Sequence, residues 1–131
     1  MKALWMVLLC MALELACPPP VSAQPFTIAQ TEINYLLDYV EISGCDFYRN
    51  GSWYDSVQAQ QHLRMKFEYF SAREGIETAE DFIDKAASKS SLSGHAYEVR
   101  CGACETVMTG PWLKDVLARY RIVAAREPVT P

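Results

Sequence analysis

Apolar positions along this chain recur in four helical stripes, with one short alternating stretch between the third and the fourth. In the first stripe, Ile33, Leu36, Leu37 and Val40 fall at i, i+3, i+4 and i+7, so they share one face of a helix spanning Gln24 to Ile42. Ser43-Gly44 ends it, because glycine adopts the left-handed conformation that closes a helix. Ala59, Leu63, Phe67 and Phe70 make a second stripe, capped by Asp55 with Gln58 three residues on, and running to Arg73. After Glu74-Gly75, Thr78 and Asp81 open a third helix whose core positions are Phe82, Ile83, Ala86 and Ala87. Gly110-Pro111 start the fourth, with Trp112, Leu113, Val116, Leu117 and Tyr120 facing inward.

Two segments carry strand signals instead. Asn50-Gly51 sits between the aromatic pairs Phe47-Tyr48 and Trp53-Tyr54. A primed two-residue turn needs positive φ at both central residues, and Asn-Gly supplies it, so a hairpin over 46–54 is predicted. Over 95–101, Tyr97, Val99 and Cys101 alternate with Glu98 and Arg100, the pattern of a half-buried strand. A lone hairpin is marginal in water, which makes this strand its natural partner. The sum is an α+β domain: four amphipathic helices around a small antiparallel sheet.

The first 23 residues have a different pattern. Lys2 precedes the unbroken apolar run Ala3–Leu13, and Pro18–Pro20 lead into Val21-Ser22-Ala23. Small residues at 21 and 23 suit a signal peptidase, so cleavage between Ala23 and Gln24 and export to the periplasm are expected. The run falls well short of the roughly 20 residues that a spanning helix needs, and no later segment is apolar enough. Lipidation at Cys17 is disfavoured by Glu14, which stands where that processing site takes an aliphatic residue. The expected organisation is a signal peptide at 1–23, one domain at 24–125 and a flexible tail at 126–131.

Charge narrows the partners. The chain carries 12 basic and 16 acidic residues, net −4, and removing Lys2 and Glu14 leaves that balance unchanged. Nucleic acids and anionic membrane surfaces both require clustered Lys and Arg, which this chain does not display. An envelope protein or a small ligand is the expected partner, with no cofactor and no membrane span.

Candidate chemistry is sparse. His62 and Lys66 stand at i and i+4 on the second helix, a pair able to bind an anion or move a proton. The alternative is that His62 packs at the edge of the stripe while Lys66 snorkels to solvent. No Ser, Cys or Asp stands at a spacing that specifies a triad. Arg49 lies among Tyr48, Trp53 and Tyr54, where it either stacks or offers its planar fork to a carboxylate or sugar. Cys101-Gly102-Ala103-Cys104 has the spacing of a thiol–disulfide motif, but too few residues follow Cys104 before Gly110-Pro111 to build the supporting helix. A zinc site from three cysteines and His62 or His95 runs against the oxidising compartment, which favours disulfides.

Taken in order, Cys45-x-Phe47-x-Arg49-Asn50-Gly51-x-x-Tyr54, His62-Leu63-x-x-Lys66, Thr78-Ala79-Glu80-Asp81-Phe82-Ile83, Ser90-Ser91-x-Ser93-Gly94-x-x-Tyr97 and Trp112-Leu113-x-x-x-Leu117 resemble the YfeK-like family of small exported bacterial proteins. The resemblance runs from about Ile28 to Arg121. It implies an envelope protein of Gram-negative type and brings no activity, cofactor or catalytic residue. The family pattern holds Cys45 and Cys101 but not Cys104. Sheet pairing would bring Cys45, just before the hairpin, to Cys101, at the end of the strand, and predicts a Cys45–Cys101 disulfide with Cys104 as a leftover thiol. The stretch 90–97 is also similar to the Ser-Gly-x-x-Tyr loop of periplasmic lysozyme inhibitors, although those are all-β.

The reading that follows is a binding module rather than an enzyme. Its expected surface joins the hairpin tip (Arg49, Asn50, Trp53) to the loop after the third helix (Ser91, Ser93), with His62 and Lys66 as further ligand contacts. The alternatives are inhibition of a lysozyme-type hydrolase through loop 90–97, and a thiol- or His-dependent envelope enzyme. Geometry separates them: a cleft gathering Arg49, His62, Lys66 and Ser91 marks a ligand pocket or an active site, and a convex loop marks a protein partner. N-terminal sequencing of the protein from a periplasmic fraction is expected to begin at Gln24; a chain beginning at Met1, or a lipidated Cys17, would overturn the export assignment.

Overall fold

The computed structural model describes residues 26–127, so the cleavage site at Ala23 and Gln24, Cys17 and the tail from residue 128 lie outside the described residues. The element order is α1 (Ile28–Ile42), β1 (Asp46–Arg49), β2 (Ser52–Tyr54), α2 (Ser56–Arg73), α3 (Ala79–Phe82), β3 (Glu98–Arg100), β4 (Val107–Met108) and α4 (Thr109–Ala124). Helix α3 runs directly into a single π turn, Ile83–Ala87.

Local chemistry sets most of the boundaries. Helix α1 begins at Ile28 rather than Gln24, because Thr27 and Gln30 form a reciprocal capping box there. The Asp55–Gln58 and Thr78–Asp81 boxes start α2 and α3 where the sequence places them. Asn50 (φ 47°) and Gly51 (φ 89°) make the predicted turn, and β1 pairs with β2 from Phe47↔Tyr54 to Arg49↔Ser52.

The sheet is antiparallel throughout, in the order β2-β1-β3-β4. The central pairing places Phe47 opposite Val99. Strand β3 is shorter than the predicted 95–101, and its run ends in a bridge between Lys89 and Ala96. Strand β4, Val107–Met108, leaves no visible mark in the sequence, since two residues are too few to alternate. One face of the sheet carries Phe47 and Val99 into the core with Leu36, Leu37, Phe82, Ile83, Leu113 and Val116 from the helices. Trp112 bridges the layers, its ring 5.8 Å from Phe47 and 5.6 Å from Tyr39. The other face carries Asp46, Tyr48, Trp53 and Arg100 toward solvent, with the Arg100 guanidinium 4.2 Å above the Trp53 ring.

Arg121 draws three helices together. It donates to both carboxylate oxygens of the buried Glu32 on α1, at 2.7 and 2.8 Å, and also to Glu80 on α3. Gly110 allows α4 to start where it does, since a Cβ there would lie 2.5 Å from Ser88 Oγ.

The disulfide joins Cys45 to Cys101, as the strand pairing predicts, and Cys104 is an exposed free thiol. The bridge closes a separation of 56 residues, for which the chain-entropy relation gives about 4 kcal/mol. Reduction, or the double substitution Cys45→Ala/Cys101→Ala, is therefore expected to lower the unfolding free energy by that order, and with it the denaturation midpoint. Thermal or urea melts of the oxidised and reduced protein measure it.

Candidate functional site

The side chains of β1, α2 and the 88–95 loop enclose a cleft of about 390 Å³. Each wall is held by a feature already described. The hairpin turn presents Arg49 and Asn50, the second turn of α2 presents His62 and the next presents Lys66, and the bridge between Lys89 and Ala96 fixes the loop. The loop is also tied to the hairpin tip: Asn50 Nδ2 donates to Ser90 Oγ at 3.1 Å, and Ser93 Oγ donates to Asn50 Oδ1 at 2.8 Å. Ser90 itself is buried and accepts from the backbone N–H groups of Leu92 and Ser93.

At the floor, four polar side chains converge. Arg49 Nη1 lies 2.8 Å from His62 Nδ1 and 3.0 Å from Nε2, and its guanidinium stacks 4.7 Å above the Tyr54 ring. An arginine can only donate, so the ring nitrogen it meets is unprotonated and His62 is neutral. His62 Nε2 also lies 3.2 Å from Tyr97 Oη, within hydrogen-bond distance. Lys66 does not snorkel: it is only 9% exposed, and its ammonium donates to the Lys89 carbonyl oxygen at 2.7 Å and to Tyr97 Oη at 3.1 Å.

Burial, followed by the charges of Arg49 and Lys66, pushes the His62 pKa down to about 4. Burial, with Arg49 second, lowers Lys66 to about 8. The Tyr97 hydroxyl is pushed up, mainly by burial. Below Arg49 and His62 lies a smaller recess of about 30 Å³, walled by Phe47, Leu63, Tyr97 and Thr109. Thr109 Oγ1 there is buried without a hydrogen-bond partner.

The structure thus gathers Arg49, Asn50, His62, Lys66 and Ser91 around one cleft and leaves two candidates outside its lining. Ser93 is exposed and acts through Asn50. Trp53 points to the opposite face of the hairpin, against Tyr48 and Arg100, since neighbours in a strand alternate sides. Tyr97 is the member that sequence reasoning treated as core alone. An inward tyrosine on a strand needs a partner for its hydroxyl, and that need was the available signal. Among the described residues no three His, Cys, Asp or Glu gather as metal ligands, and no helix is long and apolar enough to cross a membrane.

This α+β chain belongs to a family of unknown function, DUF5329, which it matches over residues 27–121. It is similar to the uncharacterized protein YfeK of Salmonella typhimurium (strain LT2), with 34% identity over 91 residues, 69% of this chain and 74% of that protein. No solved structure matches it.

The shifted groups give a signed pH dependence. His62 has a lower pKa folded than unfolded, so between about 6.5 and 4 the unfolded chain binds more protons. Stability is expected to fall as pH drops through that window and to lose nothing further from His62 below it. Lys66 works in the same sense at the other end, with stability rising from pH 8 to about 10.5. Denaturation midpoints across pH check both, and His62→Gln is expected to flatten the acid limb.

Proposed function

We propose that this is an exported envelope protein that binds a small anionic ligand in the cleft between the hairpin, α2 and the 88–95 loop. The observation that carries the reading is an imbalance of charge. Arg49 and Lys66 face one cleft, and no Asp or Glu lines it, although the chain as a whole is acidic. Among the described residues the salt bridges join Arg100 to Asp46, Lys114 to Asp84, and Arg121 to Glu32 and Glu80; Arg49 and Lys66 take part in none, although Lys66 is buried. Removing two cations from water without a counter-charge costs stability, and a bound anion offsets that cost.

Binding rather than catalysis is supported by the state of His62. Both ring nitrogens are engaged, by Arg49 and by Tyr97, so neither is free to take a proton from a substrate. Cys104 is exposed and does not line this cleft, which supports leaving thiol chemistry out of its function. Export rests on the pattern of residues 1–23 alone.

Titration with acetate and with inorganic phosphate, followed by NMR on the His62 ring and Lys66 side-chain signals, tests the reading. At least one anion is expected to shift both sets of signals saturably, and Arg49→Gln or Lys66→Met is expected to weaken binding about tenfold or more, the scale of one lost charge-assisted contact. Far-UV circular dichroism and melting of the same samples keep loss of binding separate from loss of fold. Absence of any saturable shift with either anion would overturn the proposal.

A further inference from the structure

The cleft has an apolar half that the anion reading does not use. Met65 and Tyr69 stand one turn apart on the solvent side of α2, Phe70 lies beside them, and Leu92 of the loop lines the cleft with them. Met65 is 61% exposed, Tyr69 51% and Leu92 95%. Met65, Tyr69 and Leu92 lie outside the core, while Phe70 is partly buried and packs against it. Scattered exposed hydrophobics need no explanation, but these four line one concavity whose other wall is cationic. Its volume is at the small end of the roughly 300–1,000 Å³ typical of ligand pockets, which suits a single small molecule rather than a protein segment.

The donors at the polar end define the headgroup. Of the three N–H groups on Lys66, two are used, on the Lys89 carbonyl and on Tyr97, and one remains. Arg49 commits Nη1 to His62, and the rest of its guanidinium makes no hydrogen bond among the described residues. The remaining Arg49 edge and the single Lys66 N–H provide for two acceptor oxygens, the complement of a carboxylate. A phosphate ester would place a third charged oxygen against the apolar wall, where burial without a partner is costly.

We propose that the ligand is an amphipathic carboxylate, with its headgroup between Arg49 and Lys66 and an aliphatic body along Met65, Tyr69, Phe70 and Leu92. This rests on the anion-binding reading and adds the class of ligand. The two ends are unequal in role: the cations fix position, and the apolar wall supplies the increment in affinity with chain length. Each buried methylene contributes about fourfold in affinity.

Calorimetry with acetate, butyrate, hexanoate and octanoate, alongside 1-octanol and octyl phosphate, tests it on the intact folded protein. Affinity is expected to rise from butyrate to octanoate by about fourfold per methylene while the chain is being buried, with octanol at least tenfold weaker than octanoate. Arg49→Gln is expected to weaken all the carboxylates alike. Leu92→Ser and Met65→Ser, both on exposed positions, are expected to flatten the chain-length dependence without moving the melting temperature. Equal affinity for acetate and octanoate would overturn the amphipathic assignment and leave anion binding standing. Octyl phosphate binding more tightly than octanoate would overturn the carboxylate headgroup. Octanol binding as well as octanoate, or no binding by any anion, would remove both readings together.

Discussion

The pairing of β1 with β3 is the constraint on which the rest of this protein depends. Phe47 meets Val99 across some fifty residues of chain, and every long-range feature of the cleft follows from that register. It lays Tyr97 over α2, where the hydroxyl receives both His62 and Lys66. It sets the tip of the hairpin against the loop, so that Asn50 bonds to Ser90 and Ser93. A slip of one residue would turn Tyr97 away from the core and dissolve the cluster. The Cys45–Cys101 bridge stands at the end of the same ladder and excludes such slips covalently.

Two kinds of charge in this chain behave differently. Arg121 gathers Glu32 and Glu80 into a network that joins three helices, and its charges are answered within the protein. Arg49 and Lys66 are answered only by neutral groups: a histidine ring, a tyrosine ring, a hydroxyl and a backbone carbonyl. The first arrangement is architecture. The second holds two charged groups in place while leaving their charge unbalanced, a strain on the folded state that selection for stability alone would remove.

Sequence patterning made most of the fold legible because its devices are local. Capping boxes at Asp55 and Thr78, the Asn50-Gly51 turn and the stripe Ile33-Leu36-Leu37-Val40 each act over a few residues, and each took the expected form. What escaped was non-local or too short. Strand β4 has two residues and exists only because β3 lies beside it. The cleft brings together residues that composition marks singly, so His62 and Lys66 could be noticed as a pair, but Tyr97 could not be joined to them without the register. Trp53 shares a face with Tyr48 rather than Arg49, as the register across the Asn50-Gly51 turn dictates, so it stands apart from the cleft.

The π turn at Ile83–Ala87 amounts to one residue more than an α-helix would use. One residue advances a helix by about 100°. That extra rotation aims the chain leaving α3 so that Ser88 Oγ reaches back to the Ile83 carbonyl, and the next carbonyl, that of Lys89, faces the Lys66 ammonium. The insertion therefore works as a phase adjustment between a helix and a loop. Relatives lacking it would need either a longer exit segment or another acceptor for the lysine, and the presence of the extra residue becomes a marker, readable by counting, of whether a homologue keeps the same floor beneath its cleft.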